Sequence, residues 1–155
     1  HGKGTTAATI KGNVVSVSSS TVRDTGNGYG LIDIRDQSST DTAGCTVTEN
    51  ICILQNGAEL DGTNTFLAVI QDGNQVCTFT NNTYYVPDTV DLTDDIFYHS
   101  TPATYAEWLA TSEVTGDVVI QLPQAEIDTM IRKYDDQAKA AGRKLGGAGS
   151  TGFSL

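Results

Sequence analysis

Two histidines, His1 and His99, give this chain its clearest potential for metal chemistry. An N-terminal histidine can bind copper through both its amino group and its imidazole. A second imidazole then completes a T-shaped site of three nitrogen ligands that suits copper. Tyr98 or Tyr105 would stand near the axial position. The two histidines therefore predict a copper site.

The start His1-Gly2 resembles the lytic polysaccharide monooxygenases and the related copper carriers, which are secreted proteins with this histidine brace. The resemblance covers the two histidines and a β-rich fold class. It implies copper as cofactor, and either oxidation of a polysaccharide or copper transport as function. The composition, which is rich in Thr, Ser, Asn, Gly and Asp, favours His1 as a mature terminus left after removal of a leader. The alternative is that His1 is a remnant of a tag or of processing and that His99 is an ordinary surface or core histidine.

Four aspartates follow Pro87 within a short stretch, and they are candidates for a calcium site: Asp88, Asp91, Asp94 and Asp95. Calcium takes six to eight oxygen ligands, which a cluster of carboxylates can supply. The spacing lacks the central glycine and terminal glutamate of an EF-hand loop. The alternative is an acidic loop that is simply solvated.

Three cysteines allow one disulfide and leave one thiol: Cys45, Cys52 and Cys77. Cys45 and Cys77 lie in different strand-like segments, as do Cys52 and Cys77, so the spacing leaves both pairings open. The alternative is that all three are small buried apolar residues. A disulfide would agree with a secreted protein, as would a composition rich in Thr, Ser, Asn, Gly and Asp.

The charge of the chain is strongly segregated. The net charge is -10, which argues against nucleic-acid binding because that function normally requires a basic face. Residues 36–131 contain fifteen acidic residues and neither lysine nor arginine. Five of the nine basic residues then follow between 132 and 144. Such asymmetry favours an electrostatic partner, although acidity can also serve solubility alone.

No catalytic motif stands out in the sequence. The Gly-x-Ser-x-Gly pattern of serine hydrolases is absent, and no phosphate-binding loop is present. We therefore assign no catalytic residue and expect a protein that is not an enzyme, unless the copper hypothesis holds. No apolar segment approaches the roughly 20 residues needed to span a membrane.

Short apolar segments separated by turn residues dominate the first 122 residues. Asn27-Gly28, Asn56-Gly57 and Asp61-Gly62 are turn signals typical of β-structure. Asp72-Gly73-Asn74 predicts a hairpin between strands at 65–71 and 75–80. Together the segments predict an antiparallel β-sandwich or barrel, jelly-roll-like or OB-like. We see no long-period repeat.

Two helices are predicted in the second half of the chain. A short one lies near 102–111, where Tyr105, Trp108 and Leu109 share a face. A longer one covers 123–145, with an apolar stripe from Ile127 to Leu145. The predicted organisation is an N-terminal strand or arm at 1–17, a β-rich body at 18–122, this amphipathic helix, and a flexible tail at 146–155.

These features favour a secreted, extracellular structural protein, such as a self-assembling subunit of a filament, sheath or surface layer. An N-terminal arm could add a strand to a neighbouring subunit, and the basic helix could dock on an acidic body. The partners would be other copies of the chain, with polysaccharide or a cell surface as further contacts. The assembly candidates are Lys3, Ile10, Lys11, Val15, Arg132, Lys133, Lys139, Arg143, Lys144, Phe153 and Leu155.

Overall fold

A computed structural model of the chain describes residues 9–17, 29–35, 44–55, 60, 65–71 and 77–141. The strands in this part of the chain are β1 (Thr9–Lys11), β2 (Val14–Val17), β3 (Tyr29–Arg35), β4 (Thr46–Thr48), β5 (Ile51–Leu54), β6 (Thr65–Gln71), β7 (Thr78–Thr80), β8 (Thr83–Pro87), β9 (Phe97–His99), β10 (Thr101–Ala103), β11 (Val114–Thr115) and β12 (Val118–Leu122). The helices are α1 (Tyr105–Ala110) and α2 (Gln124–Ala140).

The strands form three four-stranded sheets, which we name A, B and C. Their orders are β1-β4-β7-β11 in sheet A, β2-β5-β8-β12 in sheet B and β3-β6-β9-β10 in sheet C. Each of the first eight strands is followed by one in the next sheet, so three consecutive strands make one coil around a common core. Every pairing is parallel except that of β9 with β10. Among the described residues this arrangement is a parallel β-helix of three full coils and a partial fourth.

The corner between sheets A and B is the most regular part of the coil. The residue before the corner has positive φ in every described coil: Gly12 (67°), Glu49 (56°), Asn81 (56°) and Gly116 (72°). The next residue is Asn13, Asn50, Asn82 or Asp117. A Cβ at Gly116 would also meet the end of the Asn81 side chain, so that side chain would have to move, and glycine is favoured there for two reasons.

The interior of the coils is filled by apolar side chains from all three sheets. Val47 and Phe79 contribute from sheet A, Cys52 and Tyr84 from sheet B, and Phe97 from sheet C. The ring of Phe97 stacks on Trp108 of α1 with centroids 4.8 Å apart. Because the coils share one continuous core, each coil is stabilised mainly by its neighbours.

Helix α2 packs on the outer face of sheet B, where it contacts β8 and β5. Its residue Ile127 is fully buried, as is Ile53, an outward-facing residue of β5. Neither helix of the described ranges combines the length and the apolar character that a membrane span requires. The predicted tail at 146–155 and the first eight residues of the predicted arm lie outside the described residues.

The prediction of an antiparallel sandwich or barrel, jelly-roll-like or OB-like, is wrong. The sheets are mostly parallel, and consecutive strands enter different sheets instead of pairing with each other. The predicted hairpin at Asp72-Gly73-Asn74 is wrong for the same reason, because β6 belongs to sheet C and β7 to sheet A. The described corners, such as the one at Gly12 and Asn13, pass the chain from one sheet to the next, whereas the prediction required turns that reverse the chain. Helices do occur at 105–110 and 124–140.

Candidate assembly site

A ladder of polar side chains runs along the corner between sheets A and B. In each coil, the backbone N–H and the side-chain amide of the ladder residue both donate to Oδ1 of the next. Asn13 donates to Asn50 at 3.0 and 3.1 Å, and Asn50 donates to Asn82 at 3.1 and 3.0 Å. Asn82 donates to Asp117 at 2.8 and 2.9 Å. The ladder therefore has a direction, from the first coil to the last.

The ladder ends on the carboxylate of Asp117, which is buried. Its Oδ1 accepts both bonds from Asn82, and its Oδ2 accepts from the Tyr84 hydroxyl at 3.1 Å and from Trp108 Nε1 at 3.3 Å. Burial raises the pKa of Asp117 above its ordinary value, whereas these hydrogen bonds act in the opposite direction. A carboxylate accepts without donating, so it can terminate a ladder that has no further coil to donate to.

Helix α1 covers the core at this last coil. Thr104 and Glu107 form a capping box at its start, with Thr104 N–H donating to Glu107 Oε2 at 2.8 Å. The buried ring of Trp108 meets Phe79 edge-on and stacks on Phe97. We call this end, formed by α1, Trp108 and Asp117, the closed end.

The first coil, by contrast, has no equivalent cover among the described residues. Strands β1, β2 and β3 are each the terminal strand of their sheet. Asn13 is exposed, and its Oδ1 accepts no hydrogen bond from any described residue. Of the core side chains of this coil, Ile10, Leu31 and Ile34 are only partly buried, whereas Ile32 is buried. We call this end the open end.

A groove of about 910 Å³ lies between the open end and helix α2. The first coil contributes its core residues Ile10 and Leu31 and the strand β2, and α2 contributes side chains of its C-terminal half, including Tyr134. Asp33 and Asp135 add two carboxylates to a mainly apolar lining. The groove therefore runs beside β2, the terminal strand of sheet B in the described part of the chain.

The backbone of β2 offers hydrogen-bonding groups to this groove. Ile51 N–H donates to Asn13 O at 2.8 Å, so the backbone of Asn13 faces β5. Successive residues of a strand direct their backbone groups to opposite sides, so this bond fixes the direction for every residue of β2. Asn13, Val15 and Val17 direct their N–H and C=O toward β5, so Val14 and Ser16 direct theirs away from it. No described strand pairs with β2 on this side, so we call this side the free edge of β2. A strand added there would pair with Val14 and Ser16.

The predicted metal ligands are not brought together in the described part of the chain. His99 lies in β9, where its Nε2 is 3.7 Å from Glu113 Oε2. No group of three or more His, Cys, Asp or Glu side chains arranged to hold a metal occurs among the described residues. His1 lies outside them, so the copper site made by His1 and His99 stays a prediction.

The four aspartates of the predicted calcium site lie in the turns after β8 and are exposed: Asp88, Asp91, Asp94 and Asp95. Asp91 Oδ1 accepts from the N–H and hydroxyl of Thr93 at 2.8 and 2.7 Å, and these bonds lower the pKa of Asp91. The bonds account for the local geometry of the turn. Calcium binding here stays a prediction.

The cysteines occupy neighbouring coils. Cys45 and Cys77 form a disulfide that joins the residues before β4 and β7. Cys52 is a buried free thiol inside sheet B, and burial raises its pKa. The raised pKa and the burial both make this thiol unreactive.

The predicted assembly residues fall into two regions of the structure. Ile10, Lys11 and Val15 lie in the first coil, where Ile10 and Val15 line the groove and Lys11 pairs with Glu49 at 3.1 Å. The other described candidates occupy exposed positions of α2: Arg132, Lys133 and Lys139. Lys139 pairs with Asp135, which raises the pKa of the lysine. The remaining candidates lie outside the described residues: Lys3, Arg143, Lys144, Phe153 and Leu155.

The ladder residues were not predicted from the sequence. A signal was present, because Thr-Ile-Lys-Gly-Asn, Thr-Val-Thr-Glu-Asn, Thr-Phe-Thr-Asn-Asn and Glu-Val-Thr-Gly-Asp align at the four corners. The final residues of these segments are 37, 32 and 35 positions apart (50−13, 82−50 and 117−82). Comparison of the chain with protein-family models, with curated proteins and with solved structures finds no significant match.

Proposed function

We propose that the protein is a structural subunit that associates with other copies of itself through the open end of its β-helix. The observation that carries the proposal is the free edge of β2 beside an apolar groove. An open sheet edge with unpaired N–H and C=O groups is a template for strand addition unless it is blocked. Strand β2, Val-Val-Ser-Val, carries neither proline nor charge that would block it.

The core of the first coil supports the same proposal. Ile10 and Leu31 are partly exposed although they occupy positions that are fully buried in later coils, such as Val47 and Leu67. Covering them with a further coil would remove apolar surface from water at roughly 25 cal/mol per Å². Asn13 Oδ1, which accepts from no described residue, could then accept a donor of the added chain, as Oδ1 of Asn50 and of Asn82 does within the chain.

The test is sedimentation velocity of the purified protein over a wide concentration range, together with negative-stain microscopy. We expect the intact protein to form larger species as the concentration rises. Ser16→Pro should prevent this, because proline removes an N–H that faces the free edge and leaves the β2–β5 bonds in place. Ser16→Ala retains the N–H and is the matched control.

The two variants should have the same thermal stability when both are monomeric. The proposal fails if the intact protein remains monomeric at all concentrations, or if Ser16→Pro and Ser16→Ala associate equally well.

A further inference from the structure

The outer edge of β12, at the closed end, is already occupied by a side chain. Tyr105 in α1 places its hydroxyl on that edge, where it accepts from Val119 N–H at 3.2 Å and donates to Asp117 O at 3.3 Å. The hydroxyl thus takes the place that a further strand of sheet B would take. Strand β12 therefore needs no charged residue to protect it, and its sequence Val-Val-Ile-Gln-Leu has none.

The terminal strands of the other two sheets are protected at this end as well. Val114 of β11 directs its N–H away from β7, and that N–H donates to Thr111 O at 3.4 Å. Strand β10 contains Pro102, which has no N–H to offer to a further strand. Each terminal strand of the closed end therefore carries a feature that opposes continuation of its sheet.

Strand β2, at the open end, carries none of these features. No described residue donates to or accepts from the backbone of Val14 or Ser16 on the free edge. The chain thus has one protected end and one unprotected end. A copy that associates through its free edge of β2 finds the same unprotected edge on a second copy.

We infer that two open ends pair with each other, β2 against β2, about a two-fold axis, and that association stops at the dimer. This inference rests on the proposed function and identifies the partner surface. The axis is perpendicular to the β-helix, so the two β2 strands run antiparallel. Such an interface is isologous, because the same surface serves in both copies, and it leaves no unpaired β2 for a third copy.

The backbone pattern of β2 sets the register of this pair. Val14 and Ser16 direct their N–H and C=O to the free edge. All of these groups are used when Val14 of one copy lies opposite Ser16 of the other, with Val15 beside the axis. This register makes two hydrogen-bonded pairs, in each of which the residues exchange two N–H···O=C bonds. A register centred on residue 14 or on residue 16 makes one such pair within β2.

Helix α2 has an apolar face that the second copy would cover. Its residue Ile127 is fully buried, whereas Ile131, Tyr134 and Ala138 are only partly buried and line the groove. The spacing of these four residues places them on one face of the helix. In the dimer, β2 of the second copy lies in the groove against the uncovered part of this face. The partly buried cores of the two first coils also meet.

Cysteine cross-linking tests the register. Val14→Cys and Ser16→Cys are prepared as two proteins, which are oxidised separately and as a mixture. In the inferred register, residue 14 of one copy and residue 16 of the other are about 5.5 Å apart at Cα, which a disulfide accepts. The same residue in both copies is a diagonal pair about 7–8 Å apart, beyond that range. The mixture should therefore yield a cross-linked dimer, and each protein alone should give little. Cys52 is buried, so it does not compete.

Sedimentation velocity supplies the second test. The intact protein should form monomers and dimers and no larger species. Tyr134→Ala should raise the Kd of the dimer by roughly tenfold, because the change removes an aromatic side chain from the interface. Thr129→Ala is the matched control, at an exposed position of α2 outside the groove, and should leave the Kd unchanged.

The outcomes separate the two proposals. Species larger than a dimer that depend on Ser16 would overturn the two-fold pairing and leave association through the open end intact. Cross-linking of the Val14→Cys protein with itself as readily as with the Ser16→Cys protein would do the same, as would equal Kd values for Tyr134→Ala and Thr129→Ala. An intact protein that stays monomeric at all concentrations would overturn both proposals.

Discussion

The two ends of this β-helix share the repeating corner between sheets A and B. They differ in the residue on which the ladder stops and in how the core is covered. At the closed end the ladder stops on Asp117, a buried acceptor with four donors, and Trp108 fills the core. At the open end the ladder begins on an exposed Asn13, and the core residue Leu31 is partly uncovered. The difference indicates that one end terminates the coil whereas the other end can accept a further strand.

Substitution of the buried tryptophan should have the largest effect on stability. Trp108→Ala removes a ring that contacts both Phe79 and Phe97, and we expect the free energy of unfolding to fall by about 3–5 kcal/mol. Leu31→Ala at the open end should cost about 1 kcal/mol in the monomer, because that side chain is already partly exposed. Urea unfolding of dilute protein measures the loss in unfolding free energy for each variant. Equal losses would contradict the contrast between the closed end and the open end.

An identical change at two positions of the ladder should have unequal effects. In Asn82→Asp the side chain can no longer donate to Asp117 Oδ1 and Val47 O, and two buried carboxylates face each other. We expect a loss of about 3 kcal/mol at neutral pH. Asn13→Asp at the exposed end should cost less than about 1 kcal/mol.

The Asn82→Asp deficit should shrink at acidic pH, because protonation of either carboxyl removes the repulsion and restores a donor. Chemical denaturation of both variants at pH 7 and pH 4 is the measurement. A deficit at residue 82 no larger than that at residue 13 would contradict the ladder as we describe it.

Titration of Asp117 should change the free energy of unfolding by less than the substitutions above, and in a direction that can be stated. Its pKa is raised in the folded protein above the ordinary value of 3.8, so the folded state binds more protons than the unfolded state between these two values. Stability from this group is therefore greatest below 3.8 and falls as pH rises through the folded pKa. Asp117→Asn removes this titration. We subtract the unfolding free energy of the variant from that of the intact protein. This difference should decline as pH rises from the ordinary pKa through the folded pKa of Asp117.

A difference that instead rises with pH would mean that the hydrogen bonds from Asn82, Tyr84 and Trp108 outweigh burial at this carboxylate. That result would leave the closed end intact but would change the electrostatics that we assign to it.

The helices were easier to predict from the sequence than the sheets. The apolar spacing of Ile127, Met130, Ile131 and Tyr134 predicts α2 directly, because a helical face is set by residues close in the chain. Parallel strands of successive coils pair across separations of 29 to 37 residues, as do Val69 with Tyr98 and Val14 with Ile51. Apolar and polar residues alternate along a short strand in the same way whether the strand pairs in parallel or antiparallel. The apolar pattern alone therefore does not distinguish a parallel from an antiparallel sheet.

The corner motif could have revealed the repeat, but its variation concealed it. The residue with positive φ is glycine in two coils and Glu49 or Asn81 in the others, so glycine alone does not mark it. The segments between corners differ in length, which hides a fixed period. The open and closed ends were beyond prediction from sequence, because they depend on which strands are terminal in each sheet.

Amide hydrogen exchange tests most directly whether the free edge of β2 pairs with another copy. Exchange of the peptide containing Val14 and Ser16 is measured by mass spectrometry at low and high protein concentration. We predict that this peptide becomes protected as concentration rises, while exchange in residues 126–130 of α2 is unchanged. Equal exchange of the β2 peptide at all concentrations, in samples that nevertheless contain larger species, would contradict pairing at this edge.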